Sequence, residues 1–178
     1  MGSFLMNYSE EIKKSMKLLS SDAKSVFLGQ SIEYPGNLIY KTTDHISNKK
    51  KLELPVFEET QMGMSIGLSL GGYLPISCYP RFDFLLLAFN QLINHLDKFP
   101  IMTNGNIVPK VIIRVSVGST KPLDAGEQHT QDYSEELKSI LKTVKVYKLK
   151  TAKSILPSYK KALRDKYSSL MVEYSKFM

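Results

Sequence analysis

Three stretches of this chain hold residue types that could do chemistry. The first is Pro55-Val56-Phe57-Glu58-Glu59-Thr60-Gln61-Met62-Gly63, which opens a run with glycines at 63, 67 and 71. A carboxylate fixed at one point can take up or return a proton, and Glu58 and Glu59 are the candidates. The same pair also suits the first turn of any helix, where the macrodipole favours acids. The second stretch is Tyr79-Pro80-Arg81-Phe82-Asp83-Phe84, followed by Asn90-Gln91-Leu92-Ile93-Asn94. Aromatics at a strand-to-helix junction can floor a flat heterocycle or simply fill a core. The third runs from Val111-Ile112-Ile113-Arg114 through Gly118 to Gly126-Glu127-Gln128-His129-Thr130-Gln131. His129 lies in a loop rich in hydrogen-bonding side chains, a poor setting for a core residue. His45 and His95 lack that setting.

The glycines carry their own message. Each one inside a helix costs about 1 kcal/mol against alanine. A four-residue spacing puts all three on nearly one face, so something must approach that face closely. A neighbouring helix, from this domain or another subunit, would do so, and so would the chain's own sheet.

Several large classes are excluded as simple readings. No Cys/His spacing suits zinc, and there is no Gly-x-x-x-x-Gly-Lys phosphate loop and no Gly-x-Ser-x-Gly elbow. The single cysteine, Cys78, rules out an internal disulfide framework. Its place in Leu74-Pro75-Ile76-Ser77-Cys78-Tyr79 suggests a buried, inert thiol. The net charge of +7 raises the question of nucleic acid. The excess lysines, though, are spread along amphipathic segments towards the C-terminus without aromatic interleaving, and Lys49-Lys50-Lys51 is short. Solvated surface is the better reading.

The elements that must position these residues alternate. Apolar spacing predicts a helix over 8–19, with Ile12, Met16 and Leu19 on one face. A buried strand over 25–29 ends in glycine, and a turn-rich stretch through Tyr34-Pro35-Gly36-Asn37 follows. A short strand over 52–55 leads into a helix from Glu58 to Gly71. Then come strand 75–79, helix 84–98, strand 109–117, a long polar loop over 118–131 and helix 133–142. Strand 144–149, helix 152–164 and strand 169–174 complete the series. Strands separated by helices predict an α/β fold, one domain with a mainly parallel sheet and helices on both faces. Right-handed crossovers would put the three chemical stretches at the carboxyl ends of strands, where ligands bind.

The bulk numbers fit one such domain: 178 residues, 43% apolar and 23% charged. Residues 84–89, the most apolar stretch, are far too short to cross a bilayer. The start lacks the pattern of a secretory signal. With the lone cysteine, this points to a cytoplasmic, reducing setting. Residues 1–6 are set aside from fold reasoning.

Taken in order, these pieces resemble a known family. Residues 26–164 are similar to the first half of the beta subunit of the thiamine-dependent component of 2-oxo acid dehydrogenase complexes. More broadly, they resemble the pyrimidine-binding domains of transketolase-like enzymes. The similar pieces are Pro55-Val56-Phe57-Glu58 before a glycine-rich helix, Gly71-Gly72-Tyr73-Leu74-Pro75-Ile76, Phe82-Asp83-Phe84 and Asn90-Gln91-Leu92-Ile93-Asn94. Met102-Thr103-Asn104-Gly105, the strand through Val108 to Arg114, and Gln128-His129-Thr130-Gln131 follow.

The resemblance implies thiamine diphosphate, with Mg2+ and the diphosphate held mainly by a partner subunit. It places Glu58 on the family's cofactor-activating glutamate, Phe84 on the aromatic against the aminopyrimidine ring, and Phe82 nearby. It places His129 at the active-site mouth, assisting substrate or acceptor chemistry. Gln30 stands where the family usually has an acidic residue near the cofactor. The Gly-Asp-Gly motif that holds the metal and diphosphate is absent from the sequence, and the chain stops before the family's C-terminal docking domain. The expected protein is therefore one subunit of a split enzyme, completed by a companion chain in a hetero-oligomer such as a heterotetramer. It would decarboxylate a 2-oxo acid or cleave a ketose-like donor. The alternative is a non-catalytic structural or regulatory subunit with the same fold.

Overall fold

The computed structural model describes residues 7–121 and 124–178, so residues 1–6 lie outside it. Six strands form one sheet in the order β2-β1-β3-β4-β6-β5. They are β1 (Ser25–Gly29), β2 (Lys51–Glu53), β3 (Leu74–Tyr79), β4 (Ile112–Val117), β5 (Lys145–Lys148) and β6 (Ser169–Tyr174). Every pairing is parallel. β3, β4 and β6 are buried along their whole length, as continuous apolar runs in a doubly covered sheet must be.

Among the described residues seven α-helices precede or connect the strands: α1 (Tyr8–Ser20), α2 (Leu38–Thr43), α3 (Glu58–Leu70), α4 (Phe82–Leu85), α5 (Phe99–Met102), α6 (Ser134–Ile140) and α7 (Ala152–Arg164). The helices α1, α2 and α7 cover one face, where Ile12, Met16, Leu19, Ile39, Ile155 and Tyr159 pack on Phe27, Ile76 and Met171. On the other face α3, α4 and α6 bring Met62, Ile66, Phe82, Leu85 and Leu137 onto Tyr79, Ile113, Val115 and Val172. This is the expected layered α/β domain.

Three local departures from the sequence reading have physical reasons. The turn-rich stretch after β1 contains the six-residue helix α2, whose first turn is capped by the Asn37 side chain accepting from the Tyr40 amide at 2.9 Å. The single helix expected over 84–98 is instead α4, a 3-10 turn (Leu86–Ala88) and a π-helical stretch (Asn90–Leu96). Strand β4 begins at Ile112, because Pro109 has no amide to offer a ladder and the Val111 amide donates to the Ser168 hydroxyl at 3.0 Å.

A network of buried charge crosses the middle of the sheet. Arg114 on β4 and Glu173 on β6 are both fully buried and paired through Nε–Oε1 at 2.8 Å and Nη2–Oε2 at 2.9 Å. Thr42 accepts from Arg114 Nη2 at 3.0 Å, and the Tyr159 hydroxyl donates to Glu173 at 2.5 Å. This network joins β4, β6, α2 and α7. The Cys78 thiol lies 3.9 Å from Arg114 and is buried, as expected. Burial pushes it up to about 11, against the lowering pull of Arg114.

Candidate active site at the carboxyl rim

The sheet order explains how distant residues gather. Gln30 follows β1, Glu58 follows β2, Phe84 follows β3 and His129 follows β4. Those four strands are consecutive neighbours in the sheet. At about 4.8 Å between strands, the row spans roughly 15 Å along one rim.

Glu58 is the first residue of α3 and is 7% exposed. Its backbone is fixed from beneath, since the Tyr79 hydroxyl donates to the Glu58 carbonyl at 3.3 Å. One turn on, the buried Gln61 amide donates to Ser77 Oγ at 3.0 Å and to the Cys78 carbonyl at 3.1 Å. The start of α3 is thus bolted to β3. The Glu58 carboxylate makes no hydrogen bond or ion pair among the described residues. It opens onto a shallow pocket of about 280 Å³ lined by Val56, Phe57, Glu59, Thr60 and Leu87. Val56, Phe57 and Leu87 are all more than half exposed (57%, 62% and 65%).

Phe84 and His129 meet edge to face, with ring centroids 5.6 Å apart and planes at 82°. Both are half-buried. The His129 turn is pressed against β4: a Cβ at position 118 would lie 2.0 Å from the His129 carbonyl oxygen, so only glycine fits there. Phe82, expected beside the cofactor, is instead fully buried in the core and packs edge-on against Tyr133 at 5.7 Å. The reason is helical phase, because residues two apart in a helix point about 200° apart. Of the two rings, Phe84 alone has surface to offer.

Gln30 is half-buried at the end of β1. The loop after it is shaped by Glu53, whose carboxylate accepts the backbone amides of Ser31, Ile32 and Glu33 at 2.5, 2.7 and 2.9 Å. Gly29 sits so close to β3 that a Cβ would be 2.3 Å from the Cys78 carbonyl oxygen.

Two further features mark the rim, the first invisible in the sequence and the second left open by it between a neighbouring helix and the chain's own sheet. Lys41, Arg81, Lys121 and Lys176 line a cleft of about 430 Å³ together with Asn37, Ser119 and Ser175, and no acidic side chain lines it. These cations are up to 135 residues apart by number (176 minus 41), so no local pattern could announce them. The second is the glycine face of α3. Gly63 only touches Gln91, and a Cβ at Gly67 would meet nothing within 4 Å. Packing within this chain therefore does not account for the stripe.

Among the described residues no cluster of three or more His, Cys, Asp or Glu could hold a metal. The rim does suit the pyrimidine half of a thiamine site: a secluded carboxylate without a partner, a half-buried aromatic face and an imidazole beside it.

No protein-family model matches the chain. Individual relatives do. The chain is 30% identical over 162 residues to a pyruvate dehydrogenase E1 component subunit beta from Gracilaria tenuistipitata var. liui, covering 88% of this chain and 48% of that one. A mitochondrial subunit of the same name from Saccharomyces cerevisiae is 27% identical over 168 residues, covering 90% of this chain and 44% of the relative. The chain thus spans about half the length of the curated relatives it matches. Among solved structures, a split-gene transketolase described as an inactive beta4 tetramer superposes with a TM-score of 0.70 at 18% identity, over 94% of this chain and 51% of that one. No helix among the described residues is long and apolar enough to cross a membrane.

Proposed function

Taking the chain as a transketolase-like pyrimidine domain, we propose that it is one subunit of a split thiamine-diphosphate-dependent enzyme. Its reaction would be decarboxylation of a 2-oxo acid or cleavage of a ketose-like donor, followed by transfer of the acyl or aldehyde unit. The observation that carries this reading is Glu58. A carboxylate 7% exposed, anchored through its backbone and left without any partner, has been brought to the rim for something outside this chain. Two other buried or half-buried acids are satisfied within the chain. Glu53 takes three amides, and the buried Asp97 takes those of Lys142, Thr143 and Val144.

Thiamine diphosphate supplies the electron sink for breaking a bond beside a carbonyl, and the protein supplies orientation and electrostatics. In this reading Glu58 hydrogen-bonds the pyrimidine ring nitrogen and holds the proton there. Phe84 supports the ring face, and His129 serves substrate or acceptor from the mouth. The four-cation cleft on the same rim suits an anionic donor. A companion chain would bring Mg2+ and the diphosphate site. The open glycine face of α3, flanked by exposed Met64, Leu70 and Tyr73, supports a subunit contact there.

The test is reconstitution with a companion chain carrying the Gly-Asp-Gly motif. Glu58→Gln should assemble normally and lose turnover, and full activity in that variant would sink the assignment. Gln30 in place of an acid favours the non-catalytic reading. That reading predicts no thiamine-diphosphate-dependent activity with any companion.

A further inference from the structure

Five buried side-chain atoms among the described residues lack hydrogen-bond partners; apart from the hydroxyls of Ser134 and Ser169, they belong to two residues at the rim. Both carboxylate oxygens of Asp83, in the first turn of α4, are buried and unsatisfied, and so is Nδ1 of His129. Among the described residues Asp83 is the one carboxylate in this condition and His129 the one imidazole. An unsatisfied buried polar group costs about 1–3 kcal/mol, more when charged, so such a group calls for an explanation. Here the orphans are complementary, an acceptor and a group that can donate.

They are also neighbours in the fold. The turn Glu127–His129 packs on α4, and the Phe84 ring, next in sequence to Asp83, meets the His129 ring at 5.6 Å. The turn that carries the imidazole is held in place, because the His129 backbone carbonyl is pressed onto Gly118. The other charges near this junction are occupied. Glu127 Oε2 accepts from Gln131 at 2.8 Å, and Asp132 Oδ2 accepts from the Tyr174 hydroxyl at 2.8 Å and lies 3.8 Å from Lys148. Arg81, just ahead of α4, donates to the Pro80 carbonyl at 3.1 Å. Tyr133 faces the same carboxylate: burial, then the Asp83 charge and the approach of the hydroxyl to that carboxylate, hold the Tyr133 hydroxyl above the usual range, at a separation longer than a formed hydrogen bond.

We infer that Asp83 is the positioning residue for His129, holding the ring proton on Nδ1 through one bridging water. A neutral imidazole has one donor and one acceptor nitrogen. With Nδ1 fixed as the donor, Nε2 becomes the acceptor. Nε2 is not among the buried unsatisfied atoms, so it is the nitrogen open to the rim. The arrangement leaves a general base at the site mouth and a carboxylate behind it to stabilise the imidazolium. The role at the mouth rests on the proposed function, but the proton's location does not.

The experiment uses the chain alone, without companion or cofactor. Nitrogen-15 NMR of the His129 ring should show Nδ1–H at high pH, and an Nε2–H tautomer overturns the inference without any variant. In Asp83→Asn the His129 pKa should fall by at least about half a unit, a threefold change in proton affinity. Asp83→Glu should restore most of it, and Glu127→Gln should leave it unmoved. Loss of stability in Asp83→Asn with an unchanged His129 titration would mean a merely structural role and would overturn the proposal. Thiamine-dependent turnover that fails in the companion experiment while these shifts hold would count against the cofactor reading alone.

Discussion

Two regions of the chain treat charge in opposite ways. In the middle of the sheet Arg114 and Glu173 satisfy one another, with Thr42 and Tyr159 taking up remaining positions. At the carboxyl rim Asp83 and His129 keep buried atoms without a hydrogen-bond partner among the described residues, while the equally unpartnered Glu58 carboxylate reaches solvent. A charge withdrawn from water is tolerated when it is paired and costly when it is not. The first region is therefore architecture. The second carries a cost to folding that makes sense when a ligand, a water or a second subunit completes it.

Substitutions should separate the two. The largest effect is expected at Glu173→Gln, which leaves the Arg114 guanidinium buried without its counter-charge. Chemical denaturation should show a loss of about 3–5 kcal/mol. A loss below about 1 kcal/mol would mean that the interior pair is not as sealed as its geometry implies.

Gly118→Ala comes next. Its methyl group would overlap the His129 carbonyl, so β4 or the turn must shift, at about 1–3 kcal/mol. Hydrogen exchange should localise the loosening to residues around 118 and 129 and spare the interior network.

Cys78 reports on the interior without any substitution. With its thiol pushed up to about 11 by burial, it should resist alkylation at neutral pH at a rate set by global unfolding. Fast labelling of the native chain would contradict the sealed interior.

The smallest effect on folding should come from Glu58→Gln. Removing a charge that nothing in the chain satisfies should leave stability within about 0.5 kcal/mol of wild type, or raise it. A large loss would make Glu58 a structural acid like Glu53.

The same contrast governs what could be read from the sequence. Apolar periodicity located α1 and α7 to within a residue, because burial of one face dictates that spacing, and short runs located β1 and β6, which the sheet buries on both faces. A shared rim followed from the alternation of strands and helices, but the strand order that sets the four residues in a row did not. The resemblance supplied roles for Glu58, Phe84 and His129. It also suggested Phe82, where backbone phase turns the ring into the core instead. The Arg114–Glu173 pair joins residues 59 apart, and the cations of the rim cleft come from separate segments of the chain. Such pairings exist only once strands are in register. Asp83 looked like an ordinary acid between two aromatics, and only its missing partner marks it out. The helix over 84–98 shows the other limit: periodicity announces a helix but not the widening into π-helical turns.

The most direct test of the account measures thiamine-diphosphate-dependent turnover of a 2-oxo acid or ketose donor by the chain and its companion, wild type against Glu58→Gln. The account predicts equal assembly and a fall in turnover of roughly 10²–10⁴-fold, the range for removing a positioned acid–base group. Undiminished turnover in the Glu58→Gln pair, with the cofactor still required, would contradict it.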